Sequence, residues 1–351
     1  MKTKQQVLKS YLINAIALVL LYLVLLYAIQ TGTITRYLRG IVMTIFINII
    51  LATSLNLTTG FLGQIAIGHA GFMSIGAYTA ALFVKYIEST GVVLLANGDP
   101  TPQGQLFFLI SLVLGGLLAA VFGLLVGIPA LRLKGDYLAI ITLGFGEIIR
   151  SLIENLSFTG GAQGLTKIPR LSTLEVVYII TILCVMVMYT FVRSRHGRAI
   201  TAIREDDIAS EAAGVHNTYY RVMAFTVAAF FAGIAGGIYA QYLAVLGASN
   251  FNFNKSIDIL VMVVLGGMGS LTGSIVAAVV LTALPEALRF IPNFSDYRML
   301  IYSIVLIIVM IFKPSGLLGR YEFSLTRLLD RAAALVKGRK AQGTEEGGAG
   351  K

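Results

Sequence analysis

Charge and cysteine are both scarce in this sequence, and tryptophan is absent. Only 13% of its 351 residues are charged, about half the share usual in a soluble globular domain, so a soluble fold is excluded. A single cysteine, Cys184, lies inside an apolar run and rules out a disulfide framework. The three histidines, His69, His196 and His216, are far apart, and neither they nor Cys184 has the spacing of a metal site. No GxxxxGK[ST] phosphate loop occurs, so the chain does not hold ATP by that device. No GxSxG elbow follows a strand pattern either, and no other motif nominates an enzyme. The net charge of +10 is an excess of the kind that nucleic-acid binders carry. However, Lys and Arg are gathered into a few loops and the two ends, as orientation signals are, and no nucleic-acid partner is expected.

What is present is apolar: 57% hydrophobic residues and a mean hydropathy of +0.83. Runs of roughly 17–25 such residues read as membrane helices. They fall near 11–30, 38–58, 72–88, 106–129, 137–154, 175–192, 220–245, 257–267, 271–289 and 298–312. The expected fold is an all-α polytopic membrane protein of about ten transmembrane helices. Eight or nine remain alternatives, because the eighth and ninth runs are short and nearly touch. The basic start MKTKQQVLKS precedes an apolar run with no small-residue cleavage site, which reads as an uncleaved first span. The positive-inside rule sets orientation. With the N-terminus inside, the inner segments hold Lys2, Lys4 and Lys9, Arg132 and Lys134, the five arginines of 193–221, and the eight basic residues beyond 312. Loops 89–105 and 155–174 then lie outside, and both termini are cytoplasmic. Residues 1–315 form the transmembrane domain, 193–221 a cytoplasmic loop within it, and 316–351 an amphipathic tail that ends in a disordered stretch.

Two segments echo one another. NLTTGFLGQIAIGHAGFMSIGAYTAALF (56–83) and LVMVVLGGMGSLTGSIVAAVVLTAL (260–284) each set a glycine cluster between two apolar arms. Paired, glycine-interrupted spans in the two halves of a transporter point to its substrate path. Close helix packing through small residues is the other reading. Asn56, Gln64 and His69 in the first segment, and Gly266 and Gly267 in the second, are the path candidates, each also accounted for by packing. The fifth run carries Glu147 at roughly 15 Å from Tyr137, at 1.5 Å per residue. Arg150 and Glu154 follow at helical spacing and can pair with it along one face. Charge at that depth needs a reason. The triad is either self-compensated structure, a contact to another subunit, or part of the path, and Thr142 on the same run joins the path candidates.

The most telling stretch is the polar island RSRHGRAITAIREDDIASEAAGVHNTYYR, residues 193–221, between two long apolar runs. GRAITAIREDDIASEAAG reads as a short helix with charges on one side. Ala202, Ala209, Ala212, Ala213 and Gly214 lie on the other. A flat, small-residue face at the inner membrane surface suits a soluble partner's groove, and points to a membrane subunit driven by a separate motor protein.

The same segment resembles the cytoplasmic coupling loop of ABC importer permeases. Together with SLNLTTGFLGQIAIGHAGFMSIGAY (54–78), RLKGDYLAIITLGFGEIIR (132–150), TGGAQGLTKIP (159–169) and VVLGGMGSLTGS (263–274), it is similar to the branched-chain amino acid ABC transporter permease family, LivM-type subunit. The likeness spans about residues 40–315. It implies a transport subunit of a bacterial inner-membrane importer, with no cofactor on this chain and Mg-ATP on separate ATPases. It also implies partners: a homologous LivH-type permease, two ABC ATPase subunits, an extracytoplasmic substrate-binding protein and membrane lipid. On that likeness Arg204, Glu205, Asp206, Asp207, Glu211 and Gly214 belong to the ATPase-coupling segment. One departure stands out. The wider importer pattern has a glycine several residues after Glu-Ala-Ala and then Leu-Pro, whereas here Gly214 follows Ala213 directly and no Leu-Pro comes after. A urea or amide importer, and an ion-coupled carrier using Glu147, are the alternatives the sequence leaves open.

Overall fold

An apolar run in a medium without water must satisfy its own backbone, which favours helix throughout. The computed structural model describes residues 35–289 and 297–322, apart from 97, 132, 134, 314 and 320, together with scattered positions between 16 and 31. The expected first span, the expected disordered tail, Arg132 and Lys134 therefore lie wholly or largely outside the described residues. The chain divides into two units, of which the larger spans Arg39–Tyr321.

The longer helices are α1 (Arg36–Asn56), α2 (His69–Ser89), α3 (Pro102–Ala130), α4 (Asp136–Asn155) and α5 (Leu174–Arg193). Two short helices, α6 (Arg195–Glu205) and α7 (Asp207–Ala212), occupy the polar island. Then come α8 (Asn217–Leu243), α9 (Phe253–Gly266), α10 (Leu271–Arg289) and α11 (Arg298–Phe312). A two-residue hairpin, β1 (Leu95–Ala96) with β2 (Asp99–Pro100), joins α2 to α3. Among the described residues, six helices are long and apolar enough to cross a membrane: α1 continued to Phe61, α2, α3, α5, α8 and α10. Helix α4 matches its run but carries Asp136, Glu147, Arg150 and Glu154. Helices α9 and α11 have 14 and 15 residues.

Helices α2, α3 and α8 form the centre, and they approach backbone to backbone. A Cβ on Gly76 would stand 2.2 Å from the carbonyl oxygen of Gly233, and one on Gly236 would stand 2.0 Å from that of Met73. Gly115 faces the Gly76 carbonyl in the same way, and Gly123 meets the Ala229 methyl. Small residues are the means by which helices associate where lipid is as apolar as leucine. Gln241, fully buried, donates from Nε2 to Ser111 Oγ at 2.8 Å across α8 and α3. The opposite face of α3 exposes Leu106, Leu109, Val113, Leu117, Val121 and Leu125, a surface suited to acyl chains.

Glycine also explains the TGGAQGLTKIP segment. Gly160, Gly161 and Gly164 all have positive φ, which side chains resist. A Cβ on Gly164 would come within 2.3 Å of the Leu246 carbonyl oxygen. The loop can thus lie flat on the chain that leaves α8, with Leu165 and Leu246 exchanging backbone hydrogen bonds of 2.8 and 2.9 Å.

The helix crossing at Gly76 is directly testable. Overpacking a close-packed core costs about 1–3 kcal/mol, so Gly76→Val should lower the thermal midpoint of the detergent-solubilised protein clearly. Gly144 has open space around it, and Gly144→Ala should stay within about 0.5 kcal/mol of the parent. Equal midpoints for the two variants would contradict this packing.

Candidate functional site

Helix α1 does not end cleanly. At Asn56 it passes into one π-helical turn, Leu57–Phe61, and residues 63–68 are non-helical before α2 starts at His69. A second interruption, 267–270, separates α9 from α10. Interrupting helices frees backbone groups, which need partners when buried. Asn56 supplies them. Its side chain is fully buried, donates from Nδ2 to the Ser270 carbonyl at 2.9 Å and to Ser274 Oγ at 2.8 Å, and accepts from the Gly269 amide at 2.9 Å. One amide side chain thus binds both interruptions together, and glycine makes the approach possible. A Cβ on Gly60 would fall 1.6 Å from Asn56 Oδ1 and 2.4 Å from the Gly269 nitrogen. Gly266 meets Gly273 at similarly short range, so α9 and α10 leave the second interruption in close contact.

Two more elements converge here. The chain after α11 folds back: Leu317 N donates to the Leu265 carbonyl at 2.7 Å, Leu318 N to that of Gly266 at 3.3 Å, and Ser270 Oγ to that of Tyr321 at 2.9 Å. Gly267, at φ 114°, leaves only enough room for the backbone of Gly319. From the polar island comes Arg204, in the last turn of α6. Its Nη1 donates to the Gly60 carbonyl, its stem crosses Gly63, and a Cβ on Gly269 would lie 2.7 Å from that nitrogen. Ile200 and Ile203 of α6 are buried with Leu62 and Ala224, beside Phe61 and Val215. The polar island is therefore seated directly on the first interruption.

The island itself is two helices rather than the expected one. Asp206 breaks the helix at φ −155° and ψ 114°, and its Oδ1 caps α7 by accepting from Ile208 N and Ala209 N, both at 2.9 Å. Aspartate is among the best residues at such a cap. Asp207 is not a free surface charge. Its Oδ1 accepts from Arg221 Nη2 at 2.6 Å and from Asn217 Nδ2 at 2.7 Å, which fastens α7 to α8. Gly214, at φ 85°, closes α7, with Val215 N bonded back to Ser210 O at 3.0 Å. Glu205, Asp206, Ile208, Ala209, Glu211, Ala212, Ala213 and Gly214 remain exposed. Ile208 is 81% exposed, the most of any large apolar side chain among the described residues.

A different region borders open space. Helix α4 crosses α2 where Gly71 and Gly146 meet, a Cβ on Gly71 falling 3.0 Å from Gly146 Cα. Thr142 Oγ1 accepts from Ile67 N at 3.0 Å, and Ser256 Oγ of α9 accepts from Ala70 N at 3.2 Å. His69 is buried, with Nε2 2.8 Å from Ser54 Oγ. Next to this crossing lies a narrow recess of about 10 Å³, lined by Ile67, Gly71, Gly146, Glu147, Asn252 and Ser256 among others. Beyond Glu147 an open cleft of about 420 Å³ is bordered by Glu147, Arg150, Ser249, Asn252, Phe253 and Asn254. Arg150 pairs with Glu147 at 2.7 Å and with Glu154 at 3.4 Å, as the helical spacing implies.

A sequence model of the family described as "Branched-chain amino acid transport system / permease component" matches residues 37–310. The chain belongs to this family. It is 36% identical over 307 residues to the LivM permease protein of Salmonella typhimurium, covering 78% of this chain and 68% of that one. To LivM of Escherichia coli K12 it is 34% identical over 338 residues, covering 86% and 74%. To LivH of the same E. coli strain it is 24% identical over 293 residues, covering 78% and 91%. No solved structure matches.

Within this permease, the residues singled out from sequence separate into three groups. Asn56, Gly266 and Gly267 join at the junction of the interruptions, with Arg204 reaching it from the island. His69 and Thr142 hold the start of α2 to α1 and α4. Glu147 borders the recess and the cleft, and Gln64, between the two groups, has a buried Oε1 without a hydrogen-bond partner among the described residues. Sequence reading missed Gly60, Gly63 and Gly269 as the seats of Arg204, and it missed Ile208 as the island's exposed apolar tip. The glycines were visible as clusters, but their partner is remote in the chain: Gly60 and Arg204 are 144 positions apart.

The stitching role of Asn56 sets an expectation. Asn56→Asp keeps the acceptor and removes both donors, and leaving buried groups unsatisfied costs about 1–3 kcal/mol, more for a charged group. Thermal unfolding in detergent should drop accordingly, with Asn56→Ala lower still in folded yield. A fully stable Asn56→Asp protein would mean that the two interruptions are held by something else.

Proposed function

We propose that this permease is the membrane subunit of an ATP-driven importer for branched-chain amino acids in a bacterial cytoplasmic membrane, working by alternating access. Its partners are a LivH-type permease, two ABC ATPase subunits and an extracytoplasmic binding protein. The N- and C-termini, α6 and α7 face the cytoplasm, and the loop 157–171 faces outward, in accord with the positive-inside distribution. The glycine interruptions after α1 and α9 act as discontinuous spans of a transporter. The observation that carries the reading is Arg204. It ties a helix with an exposed, partly apolar surface to the interruptions of two membrane segments, so a push on α6 and α7 is delivered to backbone that lacks a continuous helix to resist it. Glu205, Asp206, Glu211 and Gly214, with Ile208 at their centre, meet the ATPase. Glu147 borders the path of the amino acid. An aliphatic amino acid requires apolar walls and a few polar groups for its zwitterion; Ile67, Leu143, Phe251 and Phe253 line the recess beside Glu147, and polar side chains border the cleft.

The test is uptake in proteoliposomes. This chain alone, under a proton or sodium gradient, should move no leucine. Leucine should accumulate when the second permease, ATPases, binding protein and ATP are all present, and Ile208→Glu should reduce ATPase retention and uptake together, about tenfold or more for the loss of one buried apolar anchor. Gradient-driven uptake by this chain alone would overturn the reading, and normal uptake with Ile208→Glu would move the docking site elsewhere.

A further inference from the structure

The five arginines of the island divide into two groups. Arg204 and Arg221 are committed to the protein, Arg204 to the Gly60 carbonyl and Arg221 to Asp207. Arg193, Arg195 and Arg198 are exposed, and no carboxylate among the described residues pairs with any of them. The exposed acidic residues, Glu205, Asp206 and Glu211, lie further along the chain and belong to the proposed ATPase surface. Charge in the island is therefore segregated, basic over 193–198 and acidic over 205–211.

Helix α5 sets where the basic group stands. Its exposed side carries Ile179, Leu183 and Met186 at 58%, 54% and 59%, then Thr190 and Arg193. Steps of four, three, four and three residues make these one stripe of the helix. Thr190 donates its hydroxyl to the Met186 carbonyl at 2.9 Å, so the stripe stays suited to acyl chains as far as Arg193. Arg193 folds back over Tyr189, with Cζ 4.1 Å from the ring centre. Tyrosine and arginine at the end of an apolar span are residues of the membrane–water boundary. Arg198 of α6 joins them there, donating from Nη1 to the Arg193 carbonyl at 3.4 Å. A guanidinium has five N–H donors in a fork that matches phosphate oxygens, so most of the donors of this pair remain open.

We propose that Arg193 and Arg198, with Arg195 adding to the field, hold the phosphate of an anionic phospholipid whose acyl chains lie along the Ile179–Met186 stripe of α5. A lipid rather than a free phosphate follows from continuity, since the cationic group closes the end of an acyl-facing stripe. The proposal needs only that α5 crosses a membrane, and the orientation proposed above puts the lipid in the inner leaflet. A lipid held there fixes the first turn of α6, the helix whose last turn carries Arg204.

The experiment is native mass spectrometry of the assembled, detergent-solubilised complex, with dioleoyl phosphatidylglycerol or dioleoyl phosphatidylcholine added in turn. The parent should retain phosphatidylglycerol in preference to phosphatidylcholine. Arg193→Gln and Arg198→Gln should each weaken the tightest-bound phosphatidylglycerol about fivefold, and together about twentyfold, with phosphatidylcholine unchanged. Arg193→Lys with Arg198→Lys keeps the charge and should keep most of the preference. Thermal midpoints should match the parent, because the altered side chains are exposed. Equal retention of the two lipids by the parent, or undiminished phosphatidylglycerol binding by the glutamine variants, would overturn the proposal. So would displacement of the lipid by inorganic phosphate at the same concentration, which would make the site one for a free anion. Glutamine variants that shed the ATPases while binding phosphatidylglycerol as before would give these arginines to the ATPase instead. Each of these outcomes leaves the importer reading, which is tested by uptake, untouched.

Discussion

Backbone polar groups freed inside an apolar bundle must be satisfied within the protein, and in this permease one asparagine meets much of that need. Asn56 bonds to Gly269, Ser270 and Ser274 at distances of 2.8 to 2.9 Å. Without it, the Gly269 amide and the Ser270 carbonyl of the interruption after α9 would lose their side-chain partner. In the interruption after α1, the Gly60 carbonyl is met by Arg204 and the Ile67 amide by Thr142. The surrounding glycines follow from this arrangement. Side chains at Gly60, Gly266 or Gly273 would hold the segments too far apart for a single amide to bridge them.

The same junction collects contributions from distant parts of the sequence. Arg204 reaches it from α6, and the segment after α11 reaches it through Leu317 and Leu318. From it lead the short extended stretch to α2 and the close-packed pair α9 and α10. The other ends of those paths meet at the α4 crossing, where Ala70 and Ile67 are bonded to Ser256 and Thr142, beside Glu147. A movement imposed on the island thus has a continuous route of packed and hydrogen-bonded groups to the cleft. Coupling in the proposed mechanism uses that continuity, and its strength is a matter for measurement on the assembled complex.

Much of this architecture was legible in the sequence. The run 72–88 became α2 at His69–Ser89, 106–129 became α3 at Pro102–Ala130, and 175–192 became α5 at Leu174–Arg193, because hydrophobicity and flanking polar residues set those limits locally. Boundaries shifted where a cap decided them. Helix α9 begins at Phe253, ahead of its apolar run, because the side chain of Asn252 accepts from Lys255 N at 3.0 Å and so caps the first turn. The break at Asp206 has the same origin, a capping carboxylate outweighing an otherwise helical pattern. What no local pattern could give was the pairing of Asn56 with Gly269, 213 positions apart, or of Gly267 with Gly319. The Glu147–Arg150–Glu154 pairing was legible from helical spacing, but the cleft beside it depends on Asn252 and Phe253, on a different element far along the chain.

The central claim is that Arg204 transmits motion from the island to the helix interruptions. The most direct measurement is the amount of leucine taken up per ATP hydrolysed by the reconstituted complex, with Arg204→Gln against the parent. Because Arg204 lies beneath the proposed docking surface, the variant should retain its ATPases and hydrolyse ATP, while uptake per ATP falls about tenfold, the effect of removing roughly 1.4 kcal/mol of coupling. An unchanged ratio in an intact complex would contradict the account.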